Sequence, residues 1–196
     1  MKVPVSSIAP GKTVLYRGEP YIVLEHHQES TLLMGVEWVK HPFGSSNNFA
    51  ASSLRSHLNS VYLDTLTQGN PDEIITRTVD LTALNGSKEY GTYEAKVAPL
   101  TLDELRQYHD IIPKPEVWEW SATPWSTPKV DEDDTWVLGL GSNGLDGSFC
   151  SSTYGSRPAF LIPSALDIEV DGDEAPENSN PLEAYDTKAL VHELSA

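Results

Sequence analysis

The residues that could do chemistry are few and lie far apart along the chain. The densest group of hard oxygen ligands is Asp131–Asp134, which reads "DEDD" and would suit calcium if a loop folded it around an ion. It lacks the spaced D-x-D-x-D-G pattern of a calcium loop, and a run of charges usually lies in solvent. We therefore predict no metal at this loop and keep calcium binding as the alternative.

The histidines and the single cysteine form no recognisable catalytic motif. His26 and His27 stand at a predicted strand end, where adjacent side chains point to opposite faces and cannot easily share one ion. His57 falls on a predicted helix, where a surface or partly packed position is expected. Cys150 is the only cysteine. It can form no disulfide within the chain, and we predict a packing role for it.

The motifs of common enzyme classes are missing from the sequence. The chain has no phosphate-binding glycine loop, no H-E-x-x-H and no G-x-S-x-G nucleophile elbow. The run "GLGSNG" from Gly139 to Gly144 lacks the strand–turn–helix setting of a dinucleotide loop and indicates a hairpin turn. We predict that the protein is not an enzyme and has no cofactor.

The stretch 120–163 combines large aromatic rings with many small polar residues. It holds three of the five tryptophans among serines, threonines, glycines, asparagines and aspartates. Large aromatics usually fill interiors, so Trp118, Trp120 and Trp136 are predicted to be core residues. Trp125 lies between two prolines in a loop, where an exposed ring is expected. This mixture of rigid rings and adaptable polar groups is typical of recognition surfaces.

Short strands and two helices must position this stretch. Residues 3–39 predict a three-stranded antiparallel meander with a turn around Arg17–Pro20. The apolar spacing of "SLRSHLNSVYLDTL" predicts a helix that begins at a cap, either Asn48 or Ser52. Its apolar stripe, predicted to face the core, consists of Leu54, Leu58, Val61 and Tyr62. Further strands follow in 72–83 and 93–100.

A second, short helix is predicted after the strands. Thr101 and Glu104 have the spacing of a capping box, and Leu102, Leu105 and Tyr108 share one face.

The charge of the chain excludes some partners and marks its C-terminal part. The net charge is −16, which opposes binding to nucleic acid, and no apolar run is long enough to insert into a membrane. The N-terminus lacks a signal-peptide core, so we expect a protein assembled in the cytoplasm. Residues 169–180 predict an acidic linker, and 181–196 predict an amphipathic helix. That helix docks on its own domain, docks on a partner or stays frayed.

Four landmarks occur in an order that resembles a known family. They are a strand "YIVLEH" followed by "TLLM", the helix "SLRSHLNSVYLDTL", the segment "VAPLTLDELRQY", and a tryptophan-rich stretch closing on "YGSRPAFLIP". Together they resemble uncharacterised bacterial and phage domains with a C-type-lectin-like fold, related to formylglycine-generating enzymes and phage tropism determinants. The closing Gly-x-Arg-Pro-Ala motif is matched by Gly155–Ala159, and the resemblance covers residues 3–168.

The resemblance implies an α+β fold with two helices, short antiparallel strands and extensive irregular loops over residues 1–168. Arg157 would make structural hydrogen bonds to the backbone beneath the site. The ligand-binding surface would comprise the following residues: Trp120, Trp125, Asn143, Asp146, Phe149 and Tyr154. The copper chemistry of formylglycine-generating enzymes needs a cysteine pair, whereas this chain has only Cys150.

Our leading hypothesis is a binding or structural module of a phage virion, such as a decoration, head-fibre or tail protein. It would recognise a host surface or another virion protein, so its partner would be a protein or a cell-surface glycan, and homo-oligomers are a further possibility. The alternative is a cytoplasmic enzyme or enzyme relic, with Asp146 near His109 or a metal at Asp131–Asp134. A third hypothesis makes the C-terminal helix the working part of a structural partner.

Overall fold

Fourteen strands and a few short helices make up residues 2–170, the part of the chain that the computed structural model describes. The strands, in chain order, are β1 Lys2–Pro4, β2 Thr13–Tyr16, β3 Glu19–His26, β4 Ser30–Gly35, β5 His41–Pro42, β6 Arg77–Asp80, β7 Thr92–Ala95, β8 Val97–Ala98, β9 Glu119–Pro124, β10 Trp136–Gly141, β11 Gly144–Phe149, β12 Thr153–Tyr154, β13 Ala159–Pro163 and β14 Asp167–Val170. The α-helices are α1 Ser53–His57, α2 Leu63–Thr67, α3 Leu102–Gln107 and α4 Pro128–Asp131. The predicted α+β class is confirmed.

The main sheet has seven antiparallel strands in the order β1-β14-β2-β3-β4-β13-β8. Its centre is the predicted meander, in which β2 and β3 join through Arg17 and Gly18 with φ of 53° and 87°. Positive φ at both turn residues matches the twist of a two-residue hairpin. A second sheet orders β11-β10-β9, and the pairs β12-β5 and β6-β7 complete the structure.

The predicted first helix forms, but its buried stripe differs from the prediction. α1 and α2 are joined by a π-helical turn, Leu58–Tyr62, and together they span 53–67. The wider turn shifts the register by one position, so Leu63 and Leu66 are buried after Leu58 while Val61 is 60% exposed. The prediction that Val61 is buried is therefore wrong.

Both predicted helix starts carry side-chain caps. The Ser52 hydroxyl accepts a hydrogen bond from the Arg55 N–H and begins α1, and Asn48 caps the preceding 3-10 turn. α3 begins with the complete capping box of Thr101 and Glu104. These bonds satisfy backbone donors that have no partner inside the helix.

The main sheet is covered on both faces. Strand side chains alternate, so Leu33 of β4 joins a large core with the 53–67 helical segment, whereas Leu32 and Met34 pack in a second cluster with Tyr108 and Ile112. Cys150 is buried in the first core, as predicted. None of the helices in residues 2–170 has the length and apolarity needed to cross a membrane.

The described chain closes by pairing its first strand with its last. β14 lies between β1 and β2, and Val170 is 8% exposed. The predicted start of the acidic linker, residue 169, is therefore too early, because Glu169 and Val170 belong to β14 of the sheet. The remaining predicted linker and the predicted helix at 181–196 lie outside the described residues.

Candidate functional site: the aromatic face of a hairpin

The hairpin of β10 and β11 carries the exposed rings. Its register pairs Trp136 with Phe149, Leu138 with Gly147 and Gly141 with Gly144, which leaves Ser142 and Asn143 as the tip. The prediction of a hairpin turn at Gly139–Gly144 is confirmed. β9 pairs with the other edge of β10 and attaches the hairpin to the core.

One face of this hairpin is apolar and partly open to solvent. We call it the aromatic face and define it by these residues: Trp125, Trp136, Leu140, Leu145 and Phe149. The Trp136 ring lies 4.5 Å from Phe149 and 6.5 Å from Trp125 between centroids. Phe149 is 51%, Leu145 46% and Trp125 38% exposed. The three rings therefore form a continuous row with an open outer side.

Gly147 lets two of the indole rings approach the hairpin closely. A methyl group at this position would lie 2.7 Å from the Trp125 ring and 3.0 Å from the Trp136 ring. The Trp125 N–H also donates a 3.0 Å hydrogen bond to the Trp136 carbonyl, which fixes the loop against the strand. The Trp125 side chain is thus held in one position while more than a third of it faces solvent.

The opposite face of the hairpin packs inward on a second aromatic cluster. Trp118 lies against Gly139, where any Cβ would collide with its ring. Its centroid is 4.7 Å from Trp120 and 4.4 Å from Tyr154. Trp120 is 2% exposed, and its indole N–H donates to the His41 carbonyl at 3.1 Å. Trp120 therefore lies in the core, as its residue type predicts, and cannot contact a surface ligand as the resemblance implies.

The structure divides the other predicted ligand-binding residues between two faces. Phe149 and Trp125 share the aromatic face, whereas Asp146 alternates with Phe149 and faces the other way. Asp146 accepts a 2.7 Å hydrogen bond from the Gly147 N–H. Tyr154 is half-buried against Trp118, with its hydroxyl 3.4 Å from Ser148. Asn143 lies at the exposed hairpin tip.

Four residues of the site were not identified from the sequence. Trp136 is partly exposed although a core position is predicted, and Leu140, Leu145 and Gly147 received no role. A period-two pattern of Leu145, Gly147 and Phe149 in "LDGSF" is the signal that could have found them.

The tip of the hairpin borders a groove of about 690 Å³. Its opposite wall is the end of α3 and the chain that follows it, including Ile112 and Lys114. His109 lines the groove, but its Nε2 lies 3.0 Å from Asp110, and no ion pair joins it to Asp146 in the described chain. The hypothesised Asp146–His109 pair is therefore not formed.

A buried ion pair supports the strands beneath the site. The Arg157 guanidinium donates to both Glu119 carboxylate oxygens at 2.6 and 2.8 Å, and to the Pro113 carbonyl at 3.1 Å. Both side chains are nearly fully buried. Glu119 also accepts a 2.8 Å hydrogen bond from the Trp38 indole. One of the Arg157 bonds goes to the backbone, which is the kind that the resemblance implies, but its main partner is a carboxylate that the sequence did not reveal.

The acidic loop 131–134 and Cys150, which were considered for metal binding or catalysis, have structural surroundings that account for them. Asp133 accepts hydrogen bonds from the Thr135 hydroxyl and N–H, and the hydroxyl bond is the main reason that its pKa is lowered. Burial raises the pKa of the Cys150 thiol, which disfavours the nucleophilic thiolate. Within residues 2–170, no three His, Cys, Asp or Glu side chains gather around a common point.

Comparison with known proteins gives no relative from which to transfer a role. No protein-family model, curated protein or solved structure matches this chain.

Proposed function

We propose that the protein is a non-enzymatic binding module and that the aromatic face of the β10–β11 hairpin is its contact surface. The observation that carries the proposal is the row of Trp125, Trp136 and Phe149, which is held by backbone pairing and still open to solvent. Burying exposed aromatic rings against a partner is favourable, and rings already fixed in place lose little entropy on binding.

The exposed apolar residues are concentrated in this region. Of the seven large apolar side chains that are exposed in the described chain, four belong to 125–149: Trp125, Val130, Leu145 and Phe149. Single exposed apolar residues are ordinary, but a contiguous group with polar surroundings is typical of a recognition site. Interface energy is usually concentrated in a few such aromatic residues.

We further propose that the fold is C-type-lectin-like and that the protein belongs to a phage virion, as a decoration, head-fibre or tail component. Two main helical segments, short antiparallel strands and much irregular chain support this proposal, together with the four sequence landmarks. Its partner would be a protein or a glycan on the surface of a host cell. The strong negative charge favours solubility in a crowded assembly and opposes contact with nucleic acid.

The proposal is tested by binding of the fluorescently labelled chain to candidate host cells and to a glycan array. Phe149→Ala and Trp125→Ala remove rings from the aromatic face, and each should weaken binding about tenfold or more. Val61→Ala is the matched control, because Val61 is exposed on the distant helical segment. Its binding should equal that of the unmodified chain.

Two results would reject the contact surface. One is equal binding by the unmodified chain and both ring variants. The other is a loss of binding in Val61→Ala as large as the loss in Phe149→Ala. Urea unfolding of each variant separates lost contacts from lost folding.

A further inference from the structure

We propose a second binding site, for a quaternary ammonium compound, in a cleft between the main sheet and the 53–67 helical segment. The cleft has a volume of about 270 Å³. Four aromatic residues and two carboxylates in its lining carry the argument: Tyr16, Tyr21, Trp38, Tyr62, Glu19 and Glu37. It shares no residue with the hairpin, so this inference is independent of the proposed function.

Ring contacts and hydrogen bonds fix the aromatic side chains of the cleft. Tyr21 is 5% exposed and meets Tyr16 edge to face at 6.1 Å between centroids. The hydroxyls of Tyr21 and Tyr62 lie 3.1 Å apart and share a hydrogen bond, which ties the strand to the helical segment. The Trp38 indole is held instead by its 2.8 Å hydrogen bond to Glu119. Tyr16 and Tyr21 are only 4% and 5% exposed, so the half-buried rings of Trp38 and Tyr62 supply most of the aromatic surface that a ligand could contact.

The charge of the cleft favours a cation. Glu19 and Glu37 are exposed at its rim, and neither forms an ion pair with another residue of the described chain. No Lys, Arg or His belongs to the lining. Burial raises the pKa of Tyr21, and the negative charge of Glu19 acts in the same direction. The Tyr21 hydroxyl therefore carries no negative charge at pH 7, and the negative charge of the cleft comes from its two carboxylates.

Two nearby cations must be accounted for. The Arg17 guanidinium lies 5.8 Å from the centroid of the Tyr16 ring and is paired with the Glu73 carboxylate. The Arg157 guanidinium lies 6.0 Å from the centroid of the Trp38 ring. Its charge is compensated by Glu119 at 2.6 Å, so its repulsion of a second cation is reduced.

Aromatic rings and carboxylates together select one class of cation. The negative faces of tyrosine and tryptophan attract positive charge, and quaternary ammonium groups use this attraction well because they are weakly hydrated. A compact inorganic cation would instead require several oxygen ligands close together. The volume of the cleft is at the small end of ligand sites, which suits a single alkylammonium group.

The experiment compares choline with its neutral isostere, in which a carbon atom replaces the quaternary nitrogen. Both are titrated into the chain by calorimetry or by two-dimensional NMR. The dissociation constant of choline should be about threefold to thirtyfold lower than that of the isostere, which is the range expected for a cation over aromatic faces. Tyr21 and Tyr62 resonances should shift during the choline titration.

Variants locate the binding in this cleft. Tyr62→Leu keeps apolar volume but removes the ring, and it should weaken choline binding about threefold or more. Glu19→Gln alters an exposed residue with little risk to folding, and it should also weaken binding. Glu132→Gln, an exposed glutamate in the distant acidic loop, is the matched control and should bind choline normally. Trp125→Ala should also leave choline binding unchanged.

Equal affinity for choline and the neutral isostere would overturn the proposal, as would an absence of saturable choline binding up to tens of millimolar. Equal choline affinity of Glu19→Gln and Glu132→Gln would also overturn it, because the charge of the rim would then be irrelevant. A failure of the hairpin proposal would leave all these results unaffected, so the two inferences can be judged separately.

Discussion

Replacing Arg157 by methionine should remove a large share of the stability of the fold. The side chains of Arg157 and Glu119 are 3% and 5% exposed. Removing the guanidinium leaves a buried carboxylate whose one remaining side-chain partner among the described residues is the indole of Trp38. Breaking one half of a buried pair in this way costs about 3–5 kcal/mol. Domains of this kind are stable by only about 5–15 kcal/mol, so the variant should unfold at a much lower urea concentration.

The double variant Arg157→Met with Glu119→Leu should be less damaging than the two single changes added together. It removes both charges, so no uncompensated carboxylate is left in the core. The Pro113 carbonyl and the Trp38 indole still lose a partner, and these groups account for a remaining cost of about 1–3 kcal/mol each. A double-mutant cycle, which compares the unmodified chain, the two single variants and the double variant, should therefore give a coupling energy of several kcal/mol.

Urea unfolding followed by tryptophan fluorescence measures all four proteins. Arg106→Met is the control, because Arg106 forms a solvent-exposed ion pair with Asp103 and should contribute less than about 1 kcal/mol. The reasoning fails if Arg157→Met costs no more than Arg106→Met. It also fails if the two single changes add exactly in the double variant, since the pair would then be energetically uncoupled.

Two further predictions concern the site and the pH response. Gly147→Ala places a methyl group 2.7 and 3.0 Å from two indole rings, so it should lower the free energy of unfolding by about 1–3 kcal/mol and shift the tryptophan emission. An unchanged emission spectrum and an unchanged urea midpoint would contradict this prediction. Hydrogen bonds from Arg17 lower the pKa of Glu73 below its ordinary value near 4.5. The unfolded chain then takes up the proton first, so this contribution is complete above pH 4.5 and is lost as the pH falls through the folded value. The stability advantage of the unmodified chain over Glu73→Gln should shrink on acidification, and a constant difference in unfolding midpoints between pH 7 and pH 3 would contradict it.

Local features of the fold could be predicted because their causes are adjacent in sequence. The capping box of Thr101 and Glu104 and the cap at Ser52 each depend on residues within three positions. The meander depends on a tight turn between neighbouring strands. The exposure of Trp125 follows in the same way from a proline-flanked loop that cannot continue a strand.

Features that depend on distant partners could not be predicted from the sequence. The sequence did not predict the π-helical turn, because over so short a segment an ideal helix could bury either Val61 or Leu63. The structure shows that Leu63 is the buried residue. The end of β14 resembles an acidic linker in sequence, and only its pairing with β2 places Val170 inside the fold. The partner of Arg157 lies 38 residues away in sequence, so no local pattern connects it to Glu119.

The two tryptophans that contact hairpin glycines show why exposure and structural role are hard to separate at this site. Trp118 packs at Gly139 on the inner face, and Trp125 packs at Gly147 on the outer face, so the hairpin is held between two rings. Trp125 therefore stabilises the hairpin as well as facing solvent, and its removal alters both. Phe149 is more exposed than Trp125, and within residues 2–170 its ring contacts one other aromatic ring, that of Trp136. A loss of binding in Phe149→Ala with unchanged urea unfolding is consequently the result that distinguishes a ligand surface from a packing device.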